Sequence, residues 1–203
     1  MPIVGAVDLM GSSDENLIAA HLAGDQTAFR ELVQRHGDGV LGYLFHMTGN
    51  RSQAEDLFQE TFKRVHEKAH TFRGGRFKSW LFTIATRTAI DSVRRRRLMV
   101  VSLDQADDCD EEDPSPARTL ADDNAADPAD EVVKEEQKQQ VREAIETLPV
   151  KQRAALVLAY YQQLSYQEVA QVMGCSIGSV KTHMSRALAA LARRLPDSIS
   201  VTK

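Results

Sequence analysis

Apolar residues recur three and four positions apart through the first half of the chain, which is the period of an amphipathic helix. Between residues 12 and 97 this pattern breaks near Gly24, Gly37, Gly49 and the pair at 74–75. Glycine favours helix ends because it adopts backbone conformations that other residues avoid. The first half of the chain therefore predicts five consecutive helices.

Short polar motifs mark where three of these predicted helices begin. Ser12-x-x-Glu15 and Ser52-x-x-Glu55 have the spacing of a capping box, in which a serine and a glutamate bond to each other's backbone N–H groups. Asp25 is a further candidate cap. The last of the five helices is expected to end in the arginine run 94–97, where cations suit the negative end of the helix dipole.

The second half of the chain has a helical pattern as well. One helix is expected to stop at Pro149, and another follows it directly. The Ser165-x-x-Glu168 box then starts a short helix that ends at Gly174, and a longer helix begins near Ile177. A short helix, a glycine turn and a longer helix with basic and hydroxyl residues on its outer face predict a helix-turn-helix.

The distribution of charge suggests how these helices are grouped. The net charge is −4, but residues 98–131 carry 12 acidic residues and one basic residue. Such dense like charge cannot bury enough apolar surface to offset its ordering entropy. Because no strand-like alternation persists, we predict an all-α fold with two small helical domains joined by a flexible acidic linker. The predicted boundaries are 1–97, a disordered linker at 98–131, and 132–203.

Composition excludes several other classes of protein. No apolar run is long enough to cross a bilayer, and the first residues lack the pattern of a secretory signal. Cys109 and Cys175 are far apart and have no metal-ligand spacing, so a disulfide framework is not expected. These features predict a protein of the reducing cytoplasm that does not insert into a membrane.

One motif suggests an enzyme instead. His66-Glu67-x-x-His70 has the spacing of the zinc ligands and general base of a metalloprotease helix. Its surroundings oppose a metal ion, because Lys68 places a cation between the two imidazoles. The extended form of the motif also requires Gly at position 73 and His at position 76, and both positions hold arginine. Zinc hydrolysis is therefore retained only as a minor alternative, and no cofactor is expected.

Three segments in a fixed order resemble a known family. They are AEDLFQETFKRV (54–65), FKSWLFTIATRTAIDSVRRRR (77–97) and the helical stretch 148–191, which contains LSYQEVAQVMGCSIGSVKTHMSRAL. The chain resembles bacterial RNA polymerase sigma factors of the extracytoplasmic-function (ECF) group, within the sigma-70 family. The resemblance covers both helical ends and leaves out only the linker and the extreme termini.

This resemblance implies a regulatory protein and not an enzyme. The first domain would be sigma domain 2, which binds core RNA polymerase and the minus-ten promoter element. The second would be sigma domain 4, whose helix-turn-helix at 166–191 binds the minus-thirty-five element. The expected partners are core RNA polymerase, promoter DNA and an anti-sigma factor, and the free chain is expected to be monomeric. The linker would thread the basic active-site cleft of the polymerase.

The resemblance also implies roles for individual residues. Polymerase binding would fall to Asp56, Leu57, Gln59, Glu60 and Phe62. The minus-ten element would meet Arg73, Arg76, Lys78, Thr83, Thr86, Arg87, Arg94, Arg95 and Arg96. The minus-thirty-five element would meet Ser179, Lys181, Thr182, His183 and Arg186. Phe62 is either an exposed docking aromatic or a core residue, and Trp80 is expected in the core together with Phe77 and Ile84.

A second family shares part of the pattern. Sigma factors of this group often have V-K-S-R where this chain has V-K-T-H at 180–183, a sequence common in LuxR-type activators. An arginine-to-histidine change replaces a bidentate reader of guanine with a shorter, pH-dependent side chain. The alternative is therefore a LuxR-type activator, although such proteins usually carry an α/β domain in front of the helix-turn-helix.

Overall fold

The computed structural model describes residues 12–103 and 128–195, and the side chains of residues 12–96 and 136–195. This part of the chain is helical and contains no strand, which confirms the predicted all-α class. The helices are α1 (Asp14–Leu22), α2 (Gln26–Thr48), α3 (Arg51–Lys68), α4 (Phe77–Leu103), α5 (Pro128–Glu146), α6 (Val150–Tyr160), α7 (Tyr166–Met173) and α8 (Ile177–Ala192). No helix in these ranges is long and apolar enough to cross a membrane.

Helix α2 replaces two of the predicted helices. The break expected at Gly37 is wrong, because the helix runs without interruption from Gln26 to Thr48. Gly37 is buried there, and its Cα faces the ring of Phe58 on α3. A glycine inside a helix costs about 1 kcal/mol relative to alanine. Burial of the long apolar face of α2 outweighs that cost.

The observed capping residues are those predicted from the sequence at two helices, and they differ from the predicted ones at two others. The Asp25 carboxylate accepts a hydrogen bond from the Thr27 N–H at 2.8 Å, and the reciprocal Ser165 box at α7 is complete. Helix α1 is capped by Ser13 in place of Ser12. Helix α3 is capped by Asn50 in place of Ser52, because the left-handed Gly49 before it makes Asn50 the first extended residue.

Helices α1 to α4 surround one part of a continuous apolar core. Its largest fully buried side chains include Leu17, Leu32, Tyr43, Phe77 and Phe82. The Tyr43 and Phe82 rings meet edge to face with centroids 5.6 Å apart, which is a preferred aromatic geometry. This core holds α3 and α4 side by side, so the residues implied in polymerase and minus-ten binding share one domain.

Helices α5 to α8 contain the helix-turn-helix, and their buried apolar side chains belong to the same core cluster. Val169 on α7 and Val180 and Met184 on α8 are buried in it, as the predicted stripe requires. Gly174 ends α7 in a left-handed conformation, and the Ser176 hydroxyl then caps α8. The turn therefore aims α8 across α7 with its polar face outward.

The observed helix ends extend into the segment assigned to the linker. Helix α4 continues to Leu103, past the arginine run at which it was expected to end, and α5 already begins at Pro128. Most of the predicted linker, residues 104–127, lies outside the described residues. The domain boundaries and the path of the linker through polymerase stay predictions.

Candidate nucleic-acid interface

The residues implied in polymerase binding lie on α3 but do not all face outward. Asp56 and Gln59 are exposed, and Glu60 is partly exposed. The Glu60 carboxylate accepts a hydrogen bond from Arg64 Nε at 2.7 Å, so its charge is partly balanced within the helix. Leu57 is largely buried, with 8% of its surface exposed. Helix α3 thus shows solvent a carboxylate and amide face with a leucine at its edge.

Phe62 belongs to the core, so the expectation of an exposed docking aromatic is wrong. It is 6% exposed. Its ring lies against Phe58, with centroids 4.8 Å apart, and against Phe29 of α2 at 6.4 Å. Packing of α3 on α2 requires an aromatic here, and the sequence pattern suits a core residue as well as a docking residue. Phe62, like Leu57, therefore offers a partner only a small part of its surface.

A groove lies between the residues implied in polymerase binding and the basic end of α4. It has a volume of about 530 Å³ and is lined by Asp56 and Leu57 of α3 and by Arg95 and Arg96 of α4, among others. Arg96 Nη1 lies 3.4 Å from the Gln53 side-chain oxygen. The acidic face of α3 and the arginine run therefore adjoin each other.

Most of the cations implied in minus-ten binding are solvent-exposed. The exposed members are Arg73, Arg76, Arg87, Arg94, Arg95 and Arg96. Lys78 and Thr83 are partly buried, and the Thr83 hydroxyl donates to the Ser79 carbonyl at 2.9 Å. Arginines along one helix suit a phosphate backbone, because each can neutralise a phosphate without reading a base.

Thr86 is not among the side chains that could reach DNA. It is 1% exposed, and its hydroxyl lies 2.9 Å from the Tyr43 hydroxyl of α2. Its assignment to the base-facing side is wrong, because α4 packs against both α2 and α3 and therefore buries a wider face than one apolar stripe suggests. Thr86 is therefore not available for contact with the minus-ten element.

The aromatic residues at the start of α4 form a cluster. The Trp80 ring contacts Phe77 and Phe72, with centroid distances of 5.7 Å and 5.5 Å. Phe77 and Ile84 are buried, as expected, whereas Trp80 keeps part of its surface exposed. A tryptophan supported by two phenylalanine rings is held rigidly at the edge of the basic face.

Helix α8 presents its polar face to solvent. Lys181, Thr182 and Arg186 are exposed, and Ser179 and His183 are partly exposed. Two hydroxyls already make hydrogen bonds within the start of α8. The Ser179 hydroxyl lies 2.9 Å from that of Ser176, and the Thr182 hydroxyl donates to the Gly178 carbonyl at 3.0 Å. The long cations at 181 and 186 are the side chains free to extend furthest.

Comparison with known proteins identifies both domains. A family model described as Sigma-70 region 2 matches residues 32–98, and one described as Sigma-70, region 4 matches residues 138–191. The chain is 33% identical over 178 residues to the ECF RNA polymerase sigma factor SigW of Bacillus subtilis, covering 86% of this chain and 92% of that protein. The chain belongs to the ECF group of the sigma-70 family.

Further relatives agree with this sigma factor assignment. The ECF RNA polymerase sigma factor SigE of Mycolicibacterium smegmatis is 35% identical over 168 residues, which are 80% of this chain and 61% of that protein. The chain thus spans less than two thirds of SigE but most of SigW. Among solved structures, the sigma factor RpoE in complex with the anti-sigma factor NepR from Bartonella quintana is similar, with 26% identity and a TM-score of 0.66. That match covers 81% of this chain and 94% of that one.

The LuxR-type alternative is not favoured for this sigma factor. The front of the chain matches sigma-70 region 2 and is helical throughout its described part, whereas an activator of that class usually carries an α/β domain there. Sigma factors are DNA-binding partners of RNA polymerase, and region 4 carries the helix-turn-helix. The V-K-T-H sequence at 180–183 is therefore a variation within α8 of a sigma factor.

The zinc-like motif of the sigma factor does not form a continuous helical site. Helix α3 ends at Lys68, and His70 lies in a 3-10 turn formed by Ala69–Thr71. The His66 ring instead lies against His21 of α1, with centroids 4.9 Å apart. Within residues 12–103 and 128–195 no three histidine, cysteine or carboxylate side chains cluster closely enough for a metal ion.

Proposed function

We propose that this sigma factor binds core RNA polymerase through α3, reads the minus-ten element with α4 and reads the minus-thirty-five element with α8. The observation that carries the proposal is the sorting of surface chemistry between α3 and α4. Asp56 and Gln59 are exposed on α3, and the arginines of α4 adjoin them across a shared groove. Exposed carboxylates suit a protein partner of complementary charge, whereas a row of arginines suits phosphates.

Promoter opening is the second part of the proposal. Bases of the minus-ten element must leave the stack before a polymerase can copy the template, and unstacked bases need cations for their phosphates and a rigid surface beside them. Arg87 is exposed on α4, and the partly buried Trp80 ring is supported by Phe72 and Phe77. These groups favour capture of a melted strand along α4.

An anti-sigma factor is the third partner that we propose. The similar RpoE structure contains the anti-sigma factor NepR. In the present chain the groove between Asp56, Leu57, Arg95 and Arg96 offers carboxylate, apolar and guanidinium groups together. A regulator that filled this groove would compete directly with polymerase.

The first test is co-elution with bacterial core RNA polymerase on size exclusion. The unaltered chain is expected to co-elute, and Asp56→Arg is expected to abolish co-elution because it reverses an exposed charge on the docking face. Glu67→Arg is the control, since Glu67 is exposed on the same helix but lies about two turns beyond Glu60, near the end of α3. Loss of binding in both variants would contradict the assignment of polymerase binding to the Asp56 face of α3. Absence of binding by the folded, unaltered chain would contradict the proposed function.

Promoter reading is tested by transcribing a randomised promoter library with the reconstituted holoenzyme and sequencing the RNA. Two enriched sequence blocks are expected upstream of the start. Arg186→Ala is expected to relax the upstream block, and Arg87→Ala to weaken the downstream block. If both variants relaxed the same block, the proposal that α8 reads the upstream block and α4 the downstream block would be contradicted.

A further inference from the structure

Helix α1 lies outside the segment that matches sigma-70 region 2. That match begins at residue 32, whereas α1 ends at Leu22. Isolated helices of fewer than about twelve residues are marginal in water, and α1 has nine. Leu17 and Ile18 are buried in the core, so the helix packs on the first domain. Helix α1 is therefore ordered by its contacts with that domain, and the same contacts restrain the residues that they reach.

One contact joins α1 to α2 through a pair of polar side chains. Asp14 Oδ2 lies 2.7 Å from His36 Nε2, and both side chains are mostly shielded from water. An ionised carboxylate can only accept, so the histidine donates. Asp14 Oδ1 also accepts from Arg35 Nη1 at 3.3 Å. Hydrogen bonds to a charged group are stronger than those between neutral groups, so Asp14 fixes the position of the His36 ring.

The His36 ring in turn touches the aromatic cluster of α4. Its centroid lies 5.5 Å from that of Phe77, the first residue of α4. Phe77 is almost completely buried, and its ring contacts those of Phe72 and Trp80. A chain of contacts thus runs from Asp14 on α1 to Trp80, the side chain proposed to lie beside unstacked bases.

A second contact of α1 reaches the backbone at the start of α4. The Glu15 carboxylate accepts a long hydrogen bond from the Phe77 N–H, at 3.4 Å. The first N–H groups of a helix have no partner within the helix, and a negative charge beside them is favourable. The residue just before α4 is Arg76, whose side chain can only donate. Glu15 therefore supplies from α1 an acceptor that position 76 cannot provide.

The loop that precedes α4, residues 72–76, depends on how its end is fixed. Gly74 and Gly75 within it have φ angles of 90° and 89°. Glycine adopts this conformation at little steric cost, but it also gives the loop more freedom than other residues would. Arg73, which is assigned to the minus-ten element, is exposed in this loop. Restraint of Phe77 at the end of the loop therefore limits the positions that Arg73 can take.

We propose that α1 is a positioning element for promoter opening. Asp14 and Glu15 hold the start of α4, so that Trp80 and Arg73 are already in place when the minus-ten bases leave the stack. Capture of a strand costs less when the surface that receives it is ordered beforehand. Both residues are acidic, so they act through α4 and not by contact with DNA phosphates. This inference rests on the proposed function and adds a role for α1 to it.

The face of α3 proposed to bind polymerase lies away from these contacts. Helix α1 meets α3 near the end of that helix, where the His21 and His66 rings have centroids 4.9 Å apart. Asp56 precedes His66 by ten residues, which is roughly 15 Å along a helix. Loss of the Asp14 contact is therefore expected to weaken promoter opening and to leave polymerase binding unchanged.

Fluorescence of the free chain tests the positioning directly, because Trp80 is the single tryptophan of the sequence. Quenching by acrylamide measures how readily the Trp80 ring is reached from solvent. Asp14→Ala is expected to raise the quenching constant, because Phe77 loses the restraint that passes through His36. Circular dichroism checks that the variant remains folded.

Glu15→Ala is a second test, in case Asp14→Ala disturbs folding, because Glu15 is exposed. It is also expected to raise the quenching constant. Glu31→Ala is the matched control. It removes a carboxylate that likewise accepts from Arg35, but this bond lies within α2, so quenching is expected to stay unchanged. Quenching that rises in neither test variant, or that rises equally in the control, would overturn the proposal.

Permanganate oxidation of unpaired thymines measures promoter opening by the reconstituted holoenzyme, on a promoter taken from the randomised library. Asp14→Ala is expected to lower the ratio of open to closed promoters about fivefold, because capture must then order the aromatic cluster. A promoter whose minus-ten region is already unpaired is expected to restore transcription by the variant, since no opening is needed. A defect of equal size on the paired and unpaired promoters would refute a role in opening.

Co-elution with core polymerase separates failure of this inference from failure of the proposed function. If the unaltered chain never co-elutes, the proposed function is contradicted, and the role of α1 in opening is contradicted with it. If the unaltered chain co-elutes and opens promoters, and Asp14→Ala opens them equally well, the proposed function stands and the role of α1 is refuted. Loss of co-elution in Asp14→Ala would also overturn the inference, because the role proposed for α1 is confined to opening.

Discussion

The hydroxyls of Tyr43 and Thr86 lie 2.9 Å apart in the core of the first domain, and both residues are inaccessible to solvent. This bond joins α2 to α4 and fixes which face of α4 turns inward. Burial raises the pKa of Tyr43, so its hydroxyl stays protonated at any pH near neutrality. The exposed face of α4, with Arg87 one residue beyond Thr86, is oriented by this contact.

Tyr43→Phe is expected to lower the free energy of unfolding by about 1–2 kcal/mol, because it leaves the buried Thr86 hydroxyl without its partner. Chemical denaturation measures the change. Tyr160→Phe is the control, since Tyr160 is 45% exposed and its hydroxyl is not needed in the core. Equal losses in the two variants would contradict a specific role for the buried bond.

The two exposed cations of α8 are expected to respond differently to truncation. Lys181→Ala should weaken binding to all promoter sequences alike and reduce the slope of log affinity against log salt by about 1, because a phosphate contact is lost. Arg186→Ala should cost about 1–3 kcal/mol at one base pair of the preferred sequence and relax specificity there.

Holoenzyme binding to promoter variants over a range of salt concentrations measures both effects. Lys151→Ala serves as the control, because Lys151 is exposed on α6 and does not belong to the recognition helix. A uniform effect from Arg186→Ala, with no change in sequence preference, would count against base reading by this side chain.

Acid is expected to destabilise the folded chain through His46. Burial, with Arg142 and Arg153 nearby, lowers the pKa of His46 from 6.5 to about 4. The unfolded chain therefore binds a proton in this range that the folded chain does not, and stability falls as the pH drops from about 6.5 towards 4. The loss is about 3 kcal/mol at most.

Denaturation curves of the unaltered chain and of His46→Gln, recorded between pH 7 and pH 4.5, measure this contribution. The variant is expected to lose stability less steeply, because its side chain cannot take up a proton. Parallel curves for the two proteins would show that His46 does not titrate across this range. The pKa of His21 is also lowered, by burial and then by His66, and this contribution is common to both proteins.

Zinc is expected to leave the thermal stability of the chain unchanged. His66 and His70 lie in different helical elements, and Lys68 ends α3 between them. A ligand that binds the folded state must raise the melting temperature. Scans with and without equimolar zinc, on the unaltered chain and on His66→Ala, test this. Stabilisation that disappears in His66→Ala would restore the metal-site hypothesis.

Much of the local structure was predictable because local signals determine it. The Ser165 box and Gly174 define α7, and the apolar stripe of α8 is buried as its spacing requires. The helix-turn-helix and the family resemblance rest on such signals. The breaks at Gly37 and at the end of the arginine run were wrong, because packing keeps α2 intact and α4 continues beyond the run.

The sequence predicted which charged residues belong to the candidate site, but it did not predict which side chains are exposed and which are buried. Exposed arginines on α4 and exposed polar groups on α3 agree with the sequence, but the burial of Phe62 and Thr86 does not. An aromatic or a threonine suits either side of a helix that packs on two neighbours. Only the positions of those neighbours decide which side is covered.

The sequence by itself determined that the two ends of the chain are helical, where the turn of the helix-turn-helix lies and that both ends are basic, because periodicity, capping and charge act over a few residues. Only the tertiary structure decided which polar groups meet across the domains. Gln162 and Gly39 are 123 positions apart, and no local signal marks them as partners. Their contact exists because two folded surfaces place the side-chain donor of the buried Gln162 opposite the Gly39 carbonyl, and leaving that donor without a partner would cost free energy.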